Sequence, residues 1–133
     1  MNLRVYYEDT DAGGVVYYAN YLRFFERART ELLRSTGVDQ RPLLETSRIG
    51  FVVRRLAIDY LATARLDDLL TITTTVSRIR NASIDFEQTA WRDGIRLAAA
   101  AVRIAAIDVD RGKPVGLPAS ITVALAALSP TTP

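Results

Sequence analysis

Apolar residues recur at helical spacing in one stretch of the chain and alternate with polar ones over most of the rest. From about Asn20 to Thr36, the residues Tyr21, Phe24, Phe25, Ala28 and Leu32 fall on one helical face, and Leu22 and Leu33 widen it. Arg23, Glu26, Arg27, Thr30, Glu31 and Arg34 fill the opposite arc, and Gly37 is a suitable stop. Arg29 falls inside the apolar sector, so it has to find a partner or reach water along its stem.

The alternating stretches predict strands. "LRVYYE" reads as a short first strand. In "IGFVVRRLAIDY" the phase set by Ile49, Phe51 and Val53 gives way to that of Leu56, Ile58 and Tyr60, so a bulge or sharp bend is expected near Arg54–Arg55. "DLLTITTTVSRI" alternates Leu70, Ile72, Thr74 and Val76 against Thr71, Thr73, Thr75 and Ser77. "ASIDFEQTAW" sets Ile84, Phe86 and Gln88 against Asp85, Glu87 and Thr89. Asp93–Gly94 is a hairpin signal. "IRLAAAAVRIAAIDV" is apolar on both faces, which predicts a strand inside the sheet with a layer over each face. "DRGKPVGLP" reads as a loop and "ASITVALAAL" as a short closing helix after Pro118.

This order predicts an α+β fold in which a curved antiparallel sheet wraps one long central helix. Such a sheet has edges to hide, and association with a second sheet is one way to hide them. A chain of 133 residues suits one domain, placed here at 1–128, with 129–133 as a frayed tail.

Composition narrows the chemistry. A hydrophobic fraction of 49% excludes a disordered chain. A net charge of only +2, without a long basic run, gives no footprint for nucleic acid. The N-terminus lacks the apolar segment of a signal peptide, and no apolar run approaches the roughly 20 residues that span a bilayer. A cytoplasmic location is the expectation. There is no cysteine and no histidine, so thiol nucleophiles, zinc-thiolate sites and histidine-based triads are excluded. A carboxylate is then the natural acid–base or nucleophilic group; the sole lysine is Lys113.

One stretch, "EDTDAGGVVYYANY", offers such a group. As a calcium loop starting at Asp9 it fails, because Gly13 stands where Asp or Asn is wanted and Asn20 where the closing Glu belongs. As a phosphotransferase motif it lacks a parallel α/β scaffold. Two readings stay open on the residues alone: a glycine turn whose aspartate bonds its own backbone, or a reactive carboxylate beside a helix start. Gly13 and Gly14 let a ligand approach the backbone closely. The first N–H groups of the following helix lack intrahelical partners and carry partial positive charge. A carboxylate facing such donors can hydrolyse an acyl group, the N–H groups receiving the developing oxyanion. Asp9 reads as a turn or capping residue, and Asp67–Asp68 as a solvated turn.

The segment "RVYYEDTDAGGVVYYANYLRFFERARTELLR", with "IDYLATARLDDLLTI" and "GKPVGLP" further on, resembles the hotdog-fold acyl-CoA thioesterases over nearly the whole chain. Within them it is most similar to the Tol–Pal-associated group, and more distantly to 4-hydroxybenzoyl-CoA thioesterase. The resemblance implies hydrolysis of an acyl–CoA thioester, with no metal or other cofactor. It places the catalytic carboxylate on Asp11 and the oxyanion-binding backbone N–H on Tyr18. The Tol–Pal group usually has histidine at that place ("VYHANY"), where this chain has "VYYANY". The backbone donor is kept, but a histidine role in proton transfer or substrate fit is not. Gly14 and Tyr17 are candidates to line the substrate site, and Arg78 and Arg80 to meet the phosphates of coenzyme A. The resemblance also implies a homodimer or homotetramer with the site between subunits. An acyl carrier protein is an open alternative to coenzyme A as carrier. A non-catalytic acyl-CoA or acyl-carrier-protein binding module on the same fold is the alternative function.

Overall fold

The computed structural model describes residues 1–128. The tail expected to fray, 129–133, lies outside the described residues. Strand β1 (Asn2–Arg4) is followed by a single 3₁₀ turn (Tyr7–Asp9), helix α1 (Asn20–Ser35) and a short helix α2 (Gln40–Glu45). Four long strands come next: β2 (Ile49–Tyr60), β3 (Leu69–Ile79), β4 (Ser83–Arg92) and β5 (Ile95–Asp108). The two-residue β6 (Lys113–Pro114) and helix α3 (Ala119–Ala126) complete the chain. The sheet is antiparallel in the order β1-β3-β4-β5-β2, with β6 on β5.

This is the expected α+β hotdog arrangement, and its local signals explain it. Helix α1 buries Tyr21, Phe24, Phe25, Ala28 and Leu33 against the concave face. It stops at Gly37, whose φ of +87° suits glycine, and the Val38 N–H closes back on the Leu33 carbonyl. The strands meet the helix with Leu70, Ile72 and Val76 from β3, Ile84 and Phe86 from β4, and Leu97, Ala98, Val102 and Ile104 from β5. The phase switch in β2 is a register shift between Val53 and Arg55. Asp93 and Gly94 have φ of +50° and +77°, as a tight β4–β5 hairpin requires.

Four expectations need correction. The first strand is shorter than "LRVYYE", because the chain turns at Tyr7–Asp9. Helix α2 was not anticipated; its signal is the Asp39 carboxylate accepting from the Arg41 N–H at 3.2 Å. The loop after β5 contains the short β6. The fourth concerns β5, which has a helix over one face only: Ala101 on the other face is exposed.

Arg29 resolves its conflict by pairing. It is only 7% exposed, and its Nη1 donates to Gln88 Oε1 at 2.9 Å. The Gln88 amide in turn donates to the Phe25 carbonyl and to Thr74 Oγ1. Burial lowers the basicity of the guanidinium, and no carboxylate bonds it among the described residues.

Candidate active site

The stretch around Asp11 folds as a miniature hairpin that runs into α1. Thr10 and Val16 form a β-bridge, the Asp11 N–H donates to the Val15 carbonyl at 2.9 Å, and the Gly14 N–H donates to the Asp11 carbonyl at 3.0 Å. Gly14 sits at φ +76° with open space where a side chain would be. Gly13 is confined differently, since a Cβ there would lie 3.2 Å from Asp11 Oδ1. The reason is a hydrogen bond of 2.8 Å from the Gly13 N–H to that oxygen, which fixes the carboxylate over the turn. The other carboxylate oxygen has no partner among the described residues. Asp11, Gly13 and Gly14 are all exposed.

The hairpin is tied down on two sides. The Asp9 carbonyl accepts from the Tyr17 N–H at 3.0 Å and from Asn20 Nδ2 at 2.8 Å, joining the hairpin base to the first residue of α1. The Asp9 carboxylate accepts from the Tyr6 N–H at 2.8 Å, so Asp9 is a capping residue. On the other side, Val16 N–H donates to the Ala64 carbonyl, and Val15 bridges to Arg65. The loop carrying Ala64 and Arg65 is held by Asp68, which accepts from the Arg65 N–H at 2.8 Å and from Arg92 Nη1 at 3.0 Å. Partial burial pushes the Asp68 carboxyl up, but these two donors outweigh it and hold it below the usual carboxylate range.

Helix α1 begins without a side-chain cap, at Ala19. The N–H groups of Asn20, Tyr21 and Leu22 already turn back onto the carbonyls of Tyr17, Tyr18 and Ala19. Those of Tyr18 and Ala19 meet no acceptor among the described residues. Two free backbone donors therefore stand at the positive end of a 16-residue helix.

Aromatic rings surround that start. Tyr17 and Tyr18 rings lie 4.7 Å apart, and Tyr18 and Tyr60 rings 5.9 Å apart and edge-on. Tyr17, Tyr18 and Tyr60 are all exposed, so Tyr17 is a surface ring in the single chain rather than a core one. Its ionisation is pushed up by the neighbouring Tyr18 phenol. One helical turn beyond Tyr18, an apolar cleft of about 170 Å³ opens between α1 and β2, lined by Leu22, Phe25, Val53, Leu56 and Val102 with Glu26 and Arg29. Leu22, Val53 and Leu56 were legible as apolar positions, but only the docking of β2 beside α1 makes them walls.

Asp11, Gly14, Tyr17 and Tyr18 are thus brought together within one continuous segment. Arg78 and Arg80 are not brought to them. They lie at the far end of β3, whose near end follows the Asp68 turn. Arg80 and Arg103 share Asp85, at 3.1 and 2.7 Å, while Arg78 is exposed.

Comparison with known proteins shows the family. The model of the thioesterase superfamily matches residues 13–99. The chain belongs to the thioesterase superfamily. An acyl-CoA thioesterase YbgC of Haemophilus influenzae is 52% identical, over 92% of this chain and 90% of the relative. An acyl-CoA thioester hydrolase YbgC of Escherichia coli O157:H7 is 47% identical, over 90% of this chain and 89% of the relative. The crystal structure of a probable thioesterase from Bartonella henselae superposes with a TM-score of 0.84 at 43% identity, covering 89% of this chain and 97% of that one. The chain is therefore an enzyme of the thioester hydrolase class on the hotdog fold. None of its helices is long and apolar enough to cross a membrane, among the described residues.

Proposed function

We propose that this thioesterase hydrolyses an acyl–CoA thioester to the free acid and coenzyme A, with Asp11 as nucleophile or general base. The observation that carries the reading is the Asp11 carboxylate, pinned by one oxygen on the Gly13–Gly14 turn, in the same hairpin that delivers the unbonded N–H groups of Tyr18 and Ala19. The free carboxylate oxygen attacks the thioester carbon, or takes a proton from a water whose oxygen attacks that carbon. The carbonyl oxygen gathers negative charge as it becomes tetrahedral, and the helix-start donors receive it. The carbon–sulfur bond then breaks and coenzyme A leaves as its thiolate, which takes its proton from the protonated Asp11 in the general-base route and from water in the nucleophilic one. In the nucleophilic route water afterwards cleaves the acyl–aspartyl anhydride. Tyr17 and Gly14 border the entrance, and the α1/β2 cleft takes the acyl group. The acyl-CoA named for the YbgC relatives supports the choice of carrier; the thioester of an acyl carrier protein presents the same reacting group.

The site is completed by a second copy of the chain. In one chain Asp11 and the tyrosine rings stand open to solvent. Strand β2 forms the sheet edge with its outer side unpaired, and it exposes Val52, Val53 and Leu56. An unprotected apolar edge of 12 residues suits antiparallel pairing with its own copy. Across that pairing the partner's Arg78 and Arg80 are the candidates to meet coenzyme A phosphates. The outer face of β5, where Ala101 is exposed, offers a second contact, from dimer to tetramer. The acyl-CoA named for the YbgC relatives supports a cytoplasmic location.

A panel of short, long and aromatic acyl-CoAs assayed by release of free thiol tests the reading. Turnover of at least one class is expected. Binding of every class without thiol release identifies a non-catalytic acyl-CoA module instead.

A further inference from the structure

We propose that Tyr60 is a positioning residue for thioester hydrolysis, holding through its phenol the peptide unit that presents the Ala19 N–H to the substrate's carbonyl oxygen. The inference rests on the reading of the α1 start as the oxyanion site. Tyr60 is the last residue of β2, and its Oη donates to the Tyr18 carbonyl at 3.1 Å. That carbonyl and the Ala19 N–H belong to one rigid, planar peptide unit. Fixing the oxygen end of the plane fixes the direction of its N–H.

The unit has little else to hold it. The other hydrogen bond to the Tyr18 carbonyl comes from the Tyr21 N–H at 3.4 Å, beyond the usual range for an N–H donor. Ala19 occupies the helix N-cap, where a serine, threonine or aspartate would bond the first turn through its side chain. An alanine there offers no side-chain bond to the first turn, so nothing on the helix itself clamps the Tyr18–Ala19 peptide. Tyr60 supplies the clamp from outside the helix. Its own backbone is anchored in the sheet, paired with Ala98, and the following Leu61 N–H bonds the Leu97 carbonyl at 2.9 Å. Its ring is held edge-on between Tyr18 and Tyr21, with centroids 5.9 and 5.8 Å away.

The bond also acts electronically. A donor on an amide oxygen draws density from the nitrogen and strengthens the N–H as a donor, so the Tyr60–Tyr18–Ala19 chain is a cooperative relay aimed at the forming oxyanion. Burial, and then the neighbouring Tyr18, push the Tyr60 phenol above its ordinary value of 10.0, so it stays a neutral donor through the working pH range.

Tyr60→Phe keeps the ring and removes the one hydroxyl. With acyl-CoA as substrate, kcat is expected to fall about three- to tenfold, the range of one net hydrogen bond, while KM and the affinity for free coenzyme A change less than twofold. The ¹⁵N shift of Ala19 should move in the variant, since that nitrogen shares the peptide with the released carbonyl. A raised KM with unchanged kcat, or a lower melting temperature as the sole effect, would assign Tyr60 to substrate contact or packing and overturn the inference. Asp11→Asn run in parallel separates the two levels of the argument. If it is inactive while Tyr60→Phe is fully active, the Tyr60 inference fails alone; if both are fully active, the assignment of the site fails with it.

Discussion

Replacing each glycine of the Asp11 turn by alanine separates what the turn does for stability from what it does for chemistry. At Gly14 a methyl group meets nothing within 4 Å, but φ is +76°. The cost of Gly14→Ala is therefore backbone strain of about 1 kcal/mol, or roughly 3–4 °C in melting temperature for a chain of this size. At Gly13 the backbone tolerates alanine, but the new Cβ lies 3.2 Å from Asp11 Oδ1, so the carboxylate must move a few tenths of an ångström and weaken its 2.8 Å bond to the Gly13 N–H. A displacement of about 1 Å in a reacting group can cost about a hundredfold, and a few tenths scale to about three- to tenfold. Gly13→Ala is expected to lower kcat by that factor with KM unchanged and melting within about 2 °C of the parent. Gly14→Ala is expected to lower the melting temperature and raise KM, by crowding the ligand's approach, with kcat retained. Thermal melts and steady-state thiol release on one acyl-CoA read all of these. A Gly13→Ala enzyme with undiminished kcat would show that the carboxylate position does not control the reaction.

The edge-strand argument predicts a dimer or a dimer of dimers by light scattering, with activity lost as the species dissociates; a stable, fully active monomer would refute it. Asp85 gives a pH prediction. Hydrogen bonds from Arg103 and then Arg80, against the opposing effect of burial, hold its carboxyl below the usual range in the folded protein. A depressed carboxylate stabilises the fold above its unfolded value, near pH 4, and loses that contribution as pH falls through the folded value. Asp85→Asn should therefore lower the melting temperature at pH 7 and have much less effect near pH 3; an equal loss at both would point to packing rather than charge.

Much of this molecule was legible because its signals are local. The α1 stripe, the bulge at Arg54–Arg55 and the Asp93–Gly94 hairpin each depend on residues within one or two turns of one another. The same holds for Asp11, Gly14, Tyr17 and Tyr18, which lie within eight positions and fold as one hairpin and helix start. What was not legible depends on the order of strands in the sheet. Gln88 meets Arg29 from 59 residues away, and Tyr60 meets the Tyr18 carbonyl from 42. The far-end position of Arg78 and Arg80 likewise follows from β3 pairing with β1 at its first residues, which no spacing in the sequence states. The two-faced apolar character of β5 predicted a cover for each face; one chain supplies only α1, because the other face is left to a neighbour or to water.

The central claim is that the Asp11 carboxylate drives hydrolysis, and Asp11→Asn tests it most directly. The amide keeps the shape and can still accept the Gly13 N–H, but it lacks the charge and most of the nucleophilicity. The proposed oxyanion donors are backbone groups that the substitution does not touch, so binding should survive. A fall in kcat of about two to four decades is expected, with affinity for acyl-CoA changed little. Asp9→Asn, which weakens only the cap on the Tyr6 N–H, should cost stability and leave kcat within a few-fold. An Asp11→Asn enzyme that turns over within about threefold of the parent, beside an inactive Asp9→Asn enzyme, would contradict the account.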